Sequence, residues 1–178
     1  MNSYFFLSGI NDHRNGTAYL KGDPWSISDL LTQAQSIDTW TPVVFNVQVG
    51  QLCDYQPNDV VGCRLVSDRL KGVLEESKGK ADVLQWLPAN VTDAKGHAWP
   101  YWVLHFPGNF DVLNKTKTTF IRGTDHVIKP CLDRNLIENH RVFTYPNSTL
   151  VLIVSRDVKQ TTNKVGCTGL EFSEALTA

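Results

Sequence analysis

The chain has 178 residues, 42% of them hydrophobic, and its 17 Lys and Arg nearly balance 18 Asp and Glu for a formal net charge of -1. That length fits one domain with a substantial core, since a domain of this size buries roughly 70% of the surface its unfolded chain exposes. The charge balance leaves no basic footprint for nucleic acid or an anionic membrane, and no apolar run approaches the roughly 18 residues that would span a bilayer; neither partner is expected.

In chain order, the start Met1-Asn2-Ser3-Tyr4-Phe5-Phe6-Leu7 carries no basic residue and a short apolar run, so residues 2–8 are expected as a strand and the protein as soluble and cytoplasmic. Asn15-Gly16 predicts a tight turn, because both residues tolerate positive φ. Gly22-Asp23-Pro24-Trp25 is expected as a loop, with Ser26 or Ser28 capping a helix over residues 27–36. Val43 to Val49 alternates and is β-branched, which predicts a strand. Residues 50–62 are turn-rich, and Asp54 to Asp59 is the best candidate for a boundary between an N-terminal lobe (1–60) and the remainder (61–178).

Leu65-Val66 followed by Ser67 reads as a strand running into a serine-capped helix from Asp68 to about Ser77, stopped at Gly79. Val83 to Leu87 and Trp99 to Phe106 are expected as two strands, joined by a polar connection with Asp93-Ala94-Lys95-Gly96 at its tip. Alternation places Trp102, Leu104 and Phe106 on one face, and Tyr101, Val103 and His105 on the other. Phe110 to Leu113 is expected as a turn or helix start, followed by extended pieces at 118–121, 126–132 and 141–145 and a turn at Asn147. The chain closes on a second strand–serine–helix unit, Leu150 to Val158, then a glycine-flanked turn and a strand at Leu170-Glu171-Phe172. The fold class is therefore α+β: a mainly antiparallel sheet with two or three short helices.

No phosphate loop, dinucleotide fingerprint, His-Glu-x-x-His or Gly-x-Ser-x-Gly occurs, and no two of His13, His97, His105, His126 and His140 lie at i, i+4 spacing. No cofactor or metal is expected. Cys53, Cys63, Cys131 and Cys167 form no Cys-x-x-Cys and are expected as free, mostly buried thiols. Ser67 and Ser155 lack the flanking glycines of a nucleophile elbow, and capping accounts for them. Two chemical readings stay open. A hydrolase or transferase could assemble a site from His105, His126, Asp125 and a cysteine such as Cys131, and an assembly subunit could expose a sheet edge.

Three segments resemble the Imm11 immunity family: Val66-Ser67-Asp68-Arg69-Leu70 to Glu75; Tyr101-Trp102-Val103-Leu104-His105-Phe106 with Phe110-Asp111-Val112-Leu113; and Val154-Ser155 with Gly166-Cys167-Thr168-Gly169-Leu170-Glu171-Phe172. They stand in the family's order over about residues 60–173, with His105 where the family favours asparagine and Cys167 interrupting its usual Gly-Leu-Thr-Gly. The resemblance implies a bacterial immunity protein, not an enzyme, that binds and neutralises a toxin encoded next to it in a polymorphic-toxin locus. It supplies no catalytic residues. Tyr and Trp are favoured binding anchors, so His97, Trp99 and Tyr101 are the candidate toxin contacts. The near-neutral charge argues against a cationic nuclease as the target, because its inhibitor would be markedly acidic.

Overall fold

The computed structural model describes residues 3–10, 14–108, 110–146, 148 and 151–178. His13 and the expected turn at Asn147 lie outside them. The elements in order are β1 (Tyr4–Gly9), β2 (Ala18–Leu20), α1 (Pro24–Leu31), β3 (Val43–Val47), β4 (Tyr55–Gln56), β5 (Arg64–Ser67), α2 (Asp68–Ser77), β6 (Gln85–Thr92) and β7 (Ala98–His105). They continue with β8 (Thr119–Phe120), β9 (Val127–Lys129), β10 (Cys131–Leu132), β11 (Val142–Phe143), β12 (Leu152–Ser155), α3 (Arg156–Val165), β13 (Leu170–Glu174) and β14 (Leu176–Thr177). This is the expected α+β class, and most strand pairs are antiparallel.

Local chemistry explains the helix ends. Ser67 caps α2 by accepting from Leu70 N at 3.3 Å, and Ser155 caps α3 by accepting from Val158 N. Gly166, left-handed at φ 74°, closes α3. By contrast α1 starts earlier than Ser26 or Ser28 would place it. Pro24 occupies the first turn, where its fixed φ suits a helix, and Asp23 caps it by accepting from Trp25 N at 3.1 Å. Gly79 is not a helix cap either; a Cβ there would press on the Asn139 carbonyl. Asn15-Gly16 forms no hairpin turn. Asn15 bridges Gln51 in parallel, and Gly16 lies against Val47 and Val49 too closely for any side chain. The Phe110–Leu113 segment starts no helix; Leu113 bridges Leu132 instead.

Two large sheets organise the molecule: a six-stranded sheet in the order β2-β3-β6-β7-β5-β4 and a four-stranded sheet in the order β11-β12-β1-β13. One core lies on the outer face of the six-stranded sheet, where Phe45, Leu65, Val91, Tyr101 and Val103 pack with Leu31 and Ile37. A second joins the sheets through α2 and α3, from Val66, Leu104, Leu70 and Leu74 to Leu7, Leu152, Val154 and Val158. A third covers the far face of the four-stranded sheet, around Phe143, Ile153 and Ile137. As alternation predicts, Tyr101 and Val103 enter the first core while Trp102, Leu104 and Phe106 enter the second.

The two sheets repeat one plan. In the first, β4, β5, β7 and β6 lie side by side; in the second, β11, β12, β1 and β13 do so with matching directions. Ser67 pairs with Tyr101, as Ser155 pairs with Tyr4. The Tyr101 hydroxyl donates to the Cys53 carbonyl, and the Tyr4 hydroxyl to those of Ile137 and His140. Lys71 rides over Trp102 and Trp86 just as Lys159 rides over Phe5 and Phe172. The matching strand orders and contacts describe an internal structural repeat, permuted in the second unit, whose β1 comes first in the sequence.

Candidate functional site

A cleft of about 690 Å³ opens where the β6–β7 hairpin tip, the loop from Gly50 to Asp54, the start of α2 and Thr168 converge. Each wall has a local cause. At the hairpin tip, Asp93 turns the chain by accepting from Lys95 N and His97 N, both at 2.9 Å, while Gly96 takes φ 84°. The same carboxylate accepts from Trp99 Nε1 at 3.2 Å and faces His97 Nδ1 at 3.4 Å. The Trp99 hydrogen bond leads the donors that hold the Asp93 carboxyl at about 2, well below its usual range. The indole ring of Trp99 is thereby held on the hairpin wall, 49% exposed.

The floor is built around Asp54, a buried carboxylate that accepts from both halves of the molecule. Its Oδ1 accepts from Ser67 Oγ at 2.5 Å and Arg69 Nε at 3.0 Å. Its Oδ2 accepts from Arg69 Nη2 at 2.6 Å, Thr168 N at 2.7 Å and Thr168 Oγ1 at 3.0 Å. Burial pushes the Asp54 carboxyl up, but the hydrogen bonds from Arg69, Ser67 and Thr168 outweigh it and hold it below the usual carboxylate range. Gly169, at φ 77°, lets the turn after α3 pass against Cys53 and Tyr55, where a Cβ would sit 2.6 Å from Cys53 Sγ. Arg69 itself stays half-exposed at the cleft mouth.

His97, Trp99 and Tyr101 all line this one cleft, although they do so differently. His97 and Trp99 are open to solvent; Tyr101 is buried at 5% exposure and forms part of the floor. Burial drives its hydroxyl, and the Cys53 thiol, upward, the thiol to about 12. Both donate within the floor, the Tyr101 hydroxyl to the Cys53 carbonyl and the Cys53 thiol to the Tyr55 carbonyl. Sequence reasoning missed Asp54, Arg69, Lys95 and Thr168. Asp54 lies in a turn-rich loop where acidic residues are ordinarily solvated, and its link to Thr168 is a contact between segments far apart in the chain.

The residues of the enzyme reading are dispersed. His105 is buried in β7, and its Nε2 donates to the Gln35 carbonyl at 2.8 Å, with burial lowering its basicity so that the ring is neutral. Asp125 and His126 sit on the exposed turn between β8 and β9, and Cys131 is buried in β10. All four cysteines are free, three buried and Cys167 half-buried. Among the described residues no group of three His, Cys, Asp or Glu could hold a metal ion, and no helix is long and apolar enough to cross a membrane.

The family model of the immunity protein family (Imm11) matches residues 21–177, nearly the whole chain. No curated protein matches it.

Proposed function

This chain belongs to the Imm11 immunity protein family, and from that premise we propose that it neutralises a cognate bacterial toxin domain in the cytoplasm by binding it directly, with the cleft as docking surface. The observation that carries this reading is Trp99, a half-exposed indole fixed by Asp93 on the rigid hairpin wall. A pre-positioned aromatic ring loses little entropy on binding, which is why such residues dominate interfaces. Val49, 79% exposed beside Gly50, extends the apolar rim. A specific complex buries roughly 1,200–2,000 Å², so the cleft would form its centre and the neighbouring loops its edge. The reading is of a binder, not a catalyst, because the hydroxyl and thiol on the cleft floor are held protonated and the His, Asp and Cys candidates do not converge.

The toxin is expected in the neighbouring reading frame. Its C-terminal domain is expressed in a bacterial host with and without this protein, and survivors are counted. Rescue accompanied by copurification of the two proteins supports the reading. Rescue with no complex overturns it in favour of an activity that reverses the damage.

A further inference from the structure

We infer that the cleft takes an acidic side chain, an Asp or Glu carried on a loop of the partner protein, seated between Arg69 and the Lys95 tip of the β6–β7 hairpin. This rests on the cleft being the toxin-docking surface. The groups of the lining differ in how much hydrogen-bonding capacity they keep. Asp54 accepts five hydrogen bonds from Ser67, Arg69 and Thr168. Asp93 accepts from Lys95 N, His97 N and Trp99 Nε1 and faces the His97 ring. Asp68 has one oxygen engaged by Trp102 Nε1 at 2.5 Å. Asp68 thus keeps one oxygen without a partner among the described residues, while the Asp54 and Asp93 carboxylates are occupied from within the molecule.

The donors are not. Arg69 gives Nε and Nη2 to Asp54, leaving its Nη1 group without a partner among the described residues. Its guanidinium is held flat by that two-pronged contact while the side chain stays 51% exposed, the arrangement that receives a second carboxylate at low entropic cost. Lys95, at the exposed tip, likewise has no side-chain partner among the described residues, and His97 offers its second ring nitrogen. The formal charges of the lining nearly cancel, so the selectivity arises from open donors rather than from a long-range field. Trp99 supplies an apolar wall that shields the contact from water and strengthens it.

The repeated unit provides an internal comparison. At the place of Asp54 and Arg69 it carries Arg141 and Asp157, the pair reversed and 3.9 Å apart, so the exposed helix residue there is the acid. Arg141 is also exposed, but it stands on the strand side of its pair; at this position a cation carried on the helix, above a buried carboxylate, occurs in the unit that bears the cleft.

The test is a random-peptide display library panned against the full chain, with each selected peptide then measured against Lys95→Glu, Arg69→Gln and Trp99→Ala. Lys95 is at a solvent-exposed tip, so its variant keeps the test independent of the Asp54 network that Arg69 supports; thermal melts confirm that each variant is folded. The expected result is enrichment of Asp and Glu among the binders, with affinity falling at least about tenfold in Lys95→Glu and in Arg69→Gln, as for charged contacts at the centre of an interface. Binders that depend on Trp99 but carry no acidic residue and ignore Lys95→Glu overturn the acidic anchor while leaving the docking cleft standing. Binders indifferent to all three variants, or a library yielding none that depends on the cleft, overturn both. A single-stranded oligonucleotide run in parallel that binds more tightly than any peptide and depends on Lys95 overturns the protein partner in favour of nucleic acid.

Discussion

Asp54 shows how one side chain sets both the stability and the shape of the cleft. Replacing it with Asn keeps the size but removes the charge to which Arg69, Ser67 and Thr168 donate, and hydrogen bonds to a charged group contribute about 1.5–3 kcal/mol each before screening at the half-exposed Arg69. Asp54→Asn is expected to lower unfolding stability by about 1–3 kcal/mol at neutral pH, measured by urea denaturation. The pH dependence has a definite sign. Because the folded carboxyl titrates below its ordinary 3.8, its contribution is complete above that value and is lost as pH falls through the folded one. The stability gap between the native protein and Asp54→Asn should accordingly shrink in acid, and a gap that widened there would refute the assignment. Under the proposed function Trp99 would act on binding more than on folding, since half of it faces solvent. Trp99→Ala is expected to leave the melting temperature nearly unchanged while costing about 2 kcal/mol or more in toxin affinity by calorimetry.

At the scale of elements, the two strand–serine–helix units are alike in capping geometry but unequal in surroundings. Each serine sits in extended backbone at ψ 165° and caps a ten-residue helix. Among the described residues the Ser155 side chain does only that, whereas Ser67 also donates to Asp54. Ser155→Ala should cost about 1 kcal/mol, and Ser67→Ala about 2 kcal/mol, in thermal or chemical unfolding. Equal losses would show that the Ser67–Asp54 bond adds nothing. Both helix starts are legible in the sequence because capping is local, set by a hydroxyl and the three residues after it. The structural repeat around them is not. It lies in the register of Tyr4 against Ser155 and of Tyr101 against Ser67, and the permutation separates its matching strands along the chain.

Across the whole molecule, the core between the sheets couples them, since Leu70, Leu74 and Leu104 of one unit pack with Leu7, Leu152 and Val158 of the other. All five tryptophans, Trp25, Trp40, Trp86, Trp99 and Trp102, belong to the part of the chain that builds the six-stranded sheet. Fluorescence therefore reports that sheet and, through Trp86 and Trp102, its seam with the other, whereas far-UV circular dichroism reports both sheets throughout. The two unfolding curves are expected to coincide, as in a single cooperative transition. A fluorescence midpoint displaced from the dichroism midpoint would mean that the units unfold separately. β1 is central to the four-stranded sheet, between β12 and β13, although it lies at the opposite end of the sequence from both.

The sequence alone sufficed for the α+β class, the serine caps of α2 and α3, the Asp93–Gly96 hairpin tip and the two faces of β7, because each depends on residues close together in the chain. It also placed His97, Trp99 and Tyr101 near one another, since a strand carries alternate residues along one short stretch. Packing settled that Tyr101 is floor and Trp99 is wall, that Asp23 rather than a serine starts α1, and that Gly16 and Gly79 are small because other segments press on them. It alone joined Asp54 to Thr168 and left Arg69 open above them. Those features depend on which distant strands meet, and hydrophobic burial and long-range register settle that only once the whole chain is packed.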